Sequence, residues 1–400
     1  NLLTIGDYYR QRYNRTVEVA TSLAIVASYL GWVSAQITAL GLVFSILTQG
    51  AMSPGEGMVL GAAIVLVYTL FGGMWSVALT DFFQMIIIVV GLLYCAYLVS
   101  NEAGGVGVVV SHAASAGKFE FWPKLETRDV LAFIAAWVTM MFGSIPQQDV
   151  FQRVMAAKNV QTSVTGSVLG GSLYFLFAFV PMFLAYAASL IDPQMVARYI
   201  DSDAQQILPN LILNHTPLFA QVMFFGALLS AIMSTASGTL LAPSVTFTEN
   251  VLKGFIGHQS DRHFLWTMRA VVVIFAICVT VFALESSASI YDMVSNAYKV
   301  TLVCAFIPLV MGLYWKRATT QGALGAIVFG GTVWLLLEGF NGDGIMPPQL
   351  AGLIASFLGM VLGSLMPQFV GKGVPERPEH EFLHEHAAHP HGGAQPPHHH

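Results

Sequence analysis

Gly226-Ala-Leu-Leu-Ser-Ala-Ile-Met-Ser-Thr-Ala-Ser-Gly-Thr239 lies inside an apolar run extending from about residue 217 to 250. Roughly 20 apolar residues of helix cross a bilayer core, so this run spans a membrane with length to spare for tilt. Within it Ser230, Ala231, Ser234, Thr235, Ser237, Gly238 and Thr239 crowd small and hydroxyl side chains onto one helix. Residues three and four apart share a helical face. Ser234 and Thr235 can therefore aim hydroxyls at the point where the Ala231 carbonyl sits. Two readings follow. Hard cations take oxygen ligands, and these three oxygens make part of an ion site that a neighbouring helix must complete. Alternatively, small residues serve close helix packing, with the hydroxyls bonded back to the preceding turn.

Nine further apolar stretches of similar character surround this one. With it they make ten candidate spans, at about 17–48, 55–73, 80–100, 128–144, 160–190, 217–250, 265–285, 288–314, 320–338 and 348–367. The 400 residues are 55% hydrophobic and only 10% charged, with a mean hydropathy of +0.66. A soluble domain carries about 25% charged residues, so much of this surface must face lipid. The net charge is −5 and the spans carry no basic run, which excludes nucleic acid as a partner. Cys95, Cys278 and Cys304 all fall in apolar stretches and read as small buried hydrophobes. Nucleotide-binding loops, HExxH and nucleophile elbows are absent from the sequence, so no enzyme and no organic cofactor is expected.

Ten spans put both ends of the chain on one side. If that side is cytoplasmic, eleven Lys and Arg residues lie inside, from Arg10, Arg12 and Arg15 through Lys372 and Arg377, against four outside: Lys118, Lys124, Arg128 and Arg198. The bias of basic residues toward the cytoplasm therefore places both termini inside. Two connections exceed turns. Segment 101–127, rich in Gly and Ala, is expected to be irregular. Segment 191–216 contains the amphipathic stretch Ala204 to Leu213, either a lid over the outer face or a helix resting on the bilayer. His112, His215, His258 and His263 read as ordinary surface residues. A membrane domain over 1–370 is followed by a polar tail, 371–400, holding eight of the twelve histidines. The tail is read as disordered, with metal binding as the lesser alternative.

Four blocks, in order, carry a family likeness. Tyr68-Thr-Leu-Phe-Gly-Gly-Met-Trp-Ser-Val-Ala-Leu-Thr-Asp-Phe-Phe-Gln84 comes first. Phe142-Gly-Ser-Ile-Pro-Gln-Gln-Asp-Val-Phe-Gln-Arg153 with Met155-Ala-Ala-Lys158 is second, and Ser230-Ala-Ile-Met-Ser-Thr235 third. Pro308-Leu-Val-Met-Gly-Leu-Tyr-Trp-Lys-Arg317 with Gly322-Ala-Leu324 is fourth. The sequence resembles the sodium:solute symporter family, whose members carry proline, sugars, pantothenate, choline or monocarboxylates. The resemblance implies an all-α fold of two inverted five-helix repeats, of the leucine-transporter type, with sites near the membrane midplane. It further implies sodium as the coupling ion, bound by Ala231 (carbonyl), Ser234 and Thr235, a small polar organic solute as substrate, and a bacterial inner membrane as the setting. On this mapping the first span corresponds to the third core helix. The first two core helices, which supply the remaining sodium ligands and much of the substrate site, would precede Asn1.

Other residues are singled out with alternatives. Asp81 reads either as a partner for the dipole at the start of the third span or, by resemblance, as a carboxylate on sodium's intracellular exit path. Trp137 matches an aromatic at the substrate of proline-carrying relatives, while Met141 stands where those relatives have tyrosine. Gln147 replaces a tryptophan of choline-carrying relatives, removing one wall of the aromatic cage a quaternary ammonium wants. Tyr29 and Gln36 share a face of the first span and offer a hydroxyl and an amide to a substrate or to a neighbouring helix. Lys299 lies mid-span, with Asp292 seven residues before it. A charge at that depth costs roughly 3 kcal/mol unless paired. It can pair with Asp292, hold a substrate carboxylate, or replace a bound ion, which would make a proton-coupled or uncoupled carrier. A solute-sensing domain of a signalling protein is the alternative from another class.

Overall fold

The computed structural model describes residues 2–71, 74–257, 260–340 and 344–370, with backbone alone for 74–78. The expected tail, 371–400, and His258 lie outside the described residues. Among them the fold is all helix, without strands. The chain begins with a short helix α1 (Ile5–Arg12), then α2 (Arg15–Leu47), α3 (Pro54–Phe71), α4 (Met74–Ala103), α5 (Val106–Ser115) and α6 (Thr127–Phe142). It continues through α7 (Gln148–Met155), α8 (Val160–Phe177), α9 (Phe179–Ile191), α10 (Pro193–Tyr199), α11 (Ile207–His215) and α12 (Leu218–Phe247). The remainder comprises α13 (Lys253–Ile256), α14 (Asp261–Glu285), α15 (Ile290–Cys304), α16 (Phe306–Tyr314), α17 (Thr320–Phe340) and α18 (Pro348–Leu365).

Eight of these elements, taking α8 with α9 and α12 with α13 as continuous runs, are long and apolar enough to cross a bilayer. α15 and α16, bent by 45° at Ala305, pass the same test of length and composition when taken together and make a ninth candidate. The tenth expected span, 128–144, is α6, whose 16 residues are a little short of a full crossing. The membrane setting is plainest in α8, which has no buried residue. Val164, Val168, Leu169, Leu173, Phe175 and Leu176 are all exposed on it. A continuous apolar face of this kind is stable only against lipid or another protein.

Prolines explain the two breaks. Pro308 lacks an N–H and its ring crowds the carbonyl of residue i−4, which is Cys304, the last residue of α15. Pro181 stands in the same relation to Phe177, the last residue of α8. The expected continuous eighth span is thus a broken helix.

The core is built around α2. Ile25, Tyr29, Val33 and Leu40 are buried against residues of α3, α12, α14 and α15. Gly41 and Gly57 let α2 and α3 meet. A Cβ on Gly41 would lie 2.5 Å from the Pro54 carbonyl oxygen, and one on Gly57 2.9 Å from that of Gly41. A second core joins α4, α5, α9, α11 and α12 through Cys95, Val109, Leu184, Leu211, Ile212 and Phe224.

Segment 101–127 is therefore less irregular than its composition suggested. Gly105, at φ 116°, turns the chain into α5, whose Val109 and Ala113 are buried. Segment 191–216 folds as α10, a 3-10 turn at Ala204–Gln206, and α11. Leu211 and Ile212 are fully buried in the second core, so α11 is docked on protein rather than resting on lipid.

The N-terminal segment is pinned from two directions. Tyr8, Tyr9 and Tyr13 donate hydroxyl hydrogen bonds to the carbonyls of Leu309, Ala305 and Pro308 at 2.9, 2.8 and 2.6 Å. Arg12 reaches the carbonyl of Gly312, which the C-terminus of α16 leaves unpaired, and those of Trp315 and Ala318 in the loop beyond it. On the other side, Asn250 lies in a π-helical turn, Thr248–Leu252, directly after α12. It is fully buried and donates to Asp7 Oδ1 and Glu18 Oε2, both at 2.9 Å.

Candidate functional site

The stripe on α12 meets three other helices. Ser230, Ser234 and Ser237 fall at i, i+4 and i+7, one face of a helix that runs unbroken through Ala231 and Thr235. Facing them, Gln84 of α4 donates to Ser230 Oγ at 2.5 Å, and Thr69 of α3 donates to Ser237 Oγ at 3.0 Å. Between these contacts the Ser234 hydroxyl donates to the Asp81 carboxylate. The other Asp81 oxygen is 3.0 Å from Nη1 of Arg153 on α7. Ser234 is buried, while Ala231 and Thr235 are half-buried. The Thr235 carbonyl accepts the Thr239 hydroxyl at 2.8 Å. The site is thus a carboxylate, hydroxyls and carbonyls between two spans, with one guanidinium at its margin.

This geometry corrects one expectation and joins two others. α4 begins at Met74, so Asp81 stands two turns inside the helix. A helix dipole acts over the first turn, and Asp81 is beyond it. The carboxylate assigned to an exit path and the hydroxyl assigned to an ion site are instead direct partners. Thr69, Gln84, Ser237 and Arg153 went unread as site residues. The Asp81/Gln84 spacing of three against the Ser230/Ser234 spacing of four was the available signal, since each pair lies on one helical face.

The other candidates do not assemble into a single site. Tyr29 is fully buried, donates its hydroxyl to the Asp149 carboxylate, and accepts the Asp149 backbone N–H at 2.9 Å. It is committed to joining α2 and α7. Gln36 is half-buried further along α2. Trp137 and Met141 are each 48% exposed and line a shallow cleft with Ala136 and Met140. The Trp137 ring packs on Phe121 and Phe133. Gln147 is buried and donates to Thr301 Oγ1 at 3.1 Å and to the Gly143 carbonyl at 3.3 Å. It ties α6 to α15 at a crossing where a Cβ on Gly143 would lie 2.5 Å from the Tyr298 carbonyl oxygen.

Lys299 pairs with a different acid from the one anticipated. Its Nζ is 4.0 Å from Glu338 Oε1 on α17. Asp292 is exposed at the start of α15, where its N–H donates to the Ser289 cap. Seven residues rise about 10 Å along a helix, too far for the Lys299–Asp292 pair.

A cavity of about 1270 Å³ lies beside α2, α6 and α15. Trp32, Thr38, Met140 and Tyr298 line it, together with Ser202–Gln205 and Ser286–Ile290. Thr38, Ser144 and Tyr298 bring polar atoms to the lining. Within this lining Gln205 Oε1 accepts the Ile290 N–H at 3.0 Å, linking the segment before α11 to the start of α15.

A bundle of spans with a broken helix and polar groups held between them defines an inverted-repeat transporter fold. The solved structure titled "Substrate-bound outward-open state of a Na+-coupled sialic acid symporter reveals a novel Na+-site" has this fold. It superposes with a TM-score of 0.70 at 18% identity, covering 90% of this chain and 76% of that one. The chain belongs to the sodium:solute symporter family, whose model matches residues 1–330. Among curated relatives, the high-affinity choline transporter 1 of Drosophila melanogaster is 29% identical over 338 residues, covering 82% of this chain and 53% of that protein. The high-affinity proline transporter PutP of Bacillus subtilis (strain 168) is 26% identical over 384 residues, covering 94% and 79%. The chain spans about half the length of the choline transporters it matches.

Proposed function

We propose that the protein is a sodium-coupled symporter that accumulates a small polar organic solute by alternating access. The observation that carries this reading is the Asp81–Ser234 contact between α4 and α12. Sodium is a hard cation that favours such oxygen donors. In this reading it binds against the Ala231 carbonyl and the Ser234 and Thr235 hydroxyls, and Asp81 receives it on the way to the cytoplasm. Arg153 balances the Asp81 charge when no ion is there. Sodium and solute drive the cycle only by binding one state more tightly than the other.

The substrate class is an amino acid such as proline, or an organic acid. Gln147 is buried and bonded within the protein, which leaves it unfit to wall a cage for a quaternary ammonium. The pairing of Lys299 with Glu338 removes the motive for a carrier in which Lys299 replaces the ion. No covalent chemistry is needed, so the protein acts as a carrier and not an enzyme. The distribution of Lys and Arg supports both ends of this chain lying on the cytoplasmic side, and the likeness to a Bacillus subtilis transporter favours a bacterial inner membrane.

The test is uptake of radiolabelled proline, organic acids, sugars and choline by proteoliposomes carrying the full-length protein. Uptake of one of them should rise with an inward sodium gradient and be lost in Ser234→Ala/Thr235→Ala. Uptake indifferent to sodium and intact in the double variant would overturn the assignment.

A further inference from the structure

His215, read from sequence as an ordinary surface residue, joins three elements. It is the last residue of α11. Its Nδ1 lies 3.0 Å from Oε1 of Glu102, near the end of α4, and its Nε2 lies 3.0 Å from Oδ2 of Asp192, the N-cap of α10. The His215 side chain is 22% exposed. The titratable and charged groups facing it are Glu102 and Asp192, with Arg198 of α10 acting on Asp192 from behind.

A neutral imidazole has one N–H and one lone pair, whereas an imidazolium has two N–H donors. Both ring nitrogens of His215 face carboxylate oxygens at hydrogen-bond distance. In the neutral ring one of these contacts would set a lone pair against an anionic oxygen. Only the protonated ring satisfies both. The two carboxylates sit on opposite ring nitrogens, so they cannot converge on a single metal ion with the imidazole. No three-residue metal-binding group occurs among the described residues.

The same segment runs from this clamp to the cavity. Leu211 and Ile212 of α11 are buried, and Ser202–Gln205 just before it line the 1270 Å³ cavity. The Gln205–Ile290 hydrogen bond holds that end against α15. We propose that His215 is a proton-binding site that fastens residues 200–216 to the ends of α4 and α9. Protonation tightens this stretch of the cavity lining, and loss of the proton loosens it.

The electrostatics agree with the geometry. Partial burial of the ring opposes its charge, but the hydrogen bonds and charges of Asp192 and Glu102 prevail, so the His215 pKa is raised above the usual histidine value. The Asp192 pKa is lowered, first by its hydrogen bond with His215 and then by the Met195 N–H. The raised histidine contributes stability fully below an unfolded pKa of about 6.5, and this is lost as pH rises through the folded value. The lowered carboxylate contributes above its unfolded pKa of about 3.9, and this is lost as pH falls through the folded value. The clamp is therefore tightest in mildly acidic conditions and slackens toward alkaline pH.

Hydrogen exchange of the full-length protein tests this directly, comparing wild type with His215→Gln at the same pH so that intrinsic exchange cancels. Peptides covering 200–216 should exchange roughly fivefold or more slowly in wild type near pH 5.5, and within about twofold of the variant near pH 8.5. Glu102→Gln combined with Asp192→Asn should abolish the pH dependence in the same way. A wild-type to variant ratio that is the same at both pH values overturns the proposal, as does a double carboxamide variant that keeps the wild-type dependence.

Discussion

Replacing Asn250 with alanine should loosen the end of α12 from the start of α2, and the structure sets the size of the effect. The Asn250 side chain is fully buried. It donates to Asp7 Oδ1 and Glu18 Oε2, each at 2.9 Å, and accepts the Thr4 hydroxyl at 2.6 Å. A hydrogen bond to a charged group contributes about 1.5–3 kcal/mol and a neutral one about 1 kcal/mol, so the three together reach roughly 4–7 kcal/mol. The remaining partners offset part of this. Glu18 keeps Arg15 at 2.6 Å and Arg10 at 3.3 Å, and Asp7 keeps the backbone N–H groups of Leu3 and Thr4. Such deletions are also less than additive, which leaves a loss of about 2–4 kcal/mol.

In detergent this should appear as a fall of about 5 °C or more in the apparent melting temperature, read by intrinsic fluorescence at a fixed scan rate. The segment before Arg15 should also become accessible to protease. Melting within about 1 °C of wild type, with α1 still protected, would refute the reasoning, because it would mean that Asp7 and Glu18 do not depend on the amide.

Two other perturbations probe packing and the link between α2 and α7. In Gly359→Ala the new Cβ would lie 2.5 Å from the Gly325 carbonyl oxygen. Backbone cannot retreat without separating α17 from α18, so a loss of about 1–3 kcal/mol is expected. Gly226→Ala, where nothing lies within 4 Å of the added atom, should melt with wild type. Tyr29→Phe removes one hydroxyl that serves both the carboxylate and the N–H of Asp149, and should cost about 1–3 kcal/mol. Unchanged melting and unchanged maximal uptake in that variant would contradict the role given to Tyr29.

The spans were legible because apolar runs of bilayer length carry their own signal. The family motifs fixed their order and the transporter fold. What escaped depended on partners distant in sequence. Asn250 reaches residues 243 and 232 positions away, and no local periodicity announces such a contact. His215 looked ordinary because Glu102 lies 113 residues before it. The break between α15 and α16 was readable in principle, since Pro308 stood in a quoted motif and its effect on Cys304 is local. The dipole reading of Asp81 failed through a boundary. Starting the third span at residue 80 made it a helix N-terminus, whereas α4 starts at Met74. Lys299 was paired along its own helix, while its partner Glu338 comes from the neighbouring one.

The central claim is that sodium binds where α4 faces α12. Equilibrium binding of radiolabelled sodium to the purified full-length protein tests it most directly, in wild type, Ser234→Ala and Asp81→Asn. Wild type should bind saturably, and each variant should bind about tenfold or more weakly, equivalent to about 1.4 kcal/mol for the oxygen removed. Both variants should keep a wild-type elution profile. Saturable sodium binding of unchanged affinity in both folded variants would contradict the account.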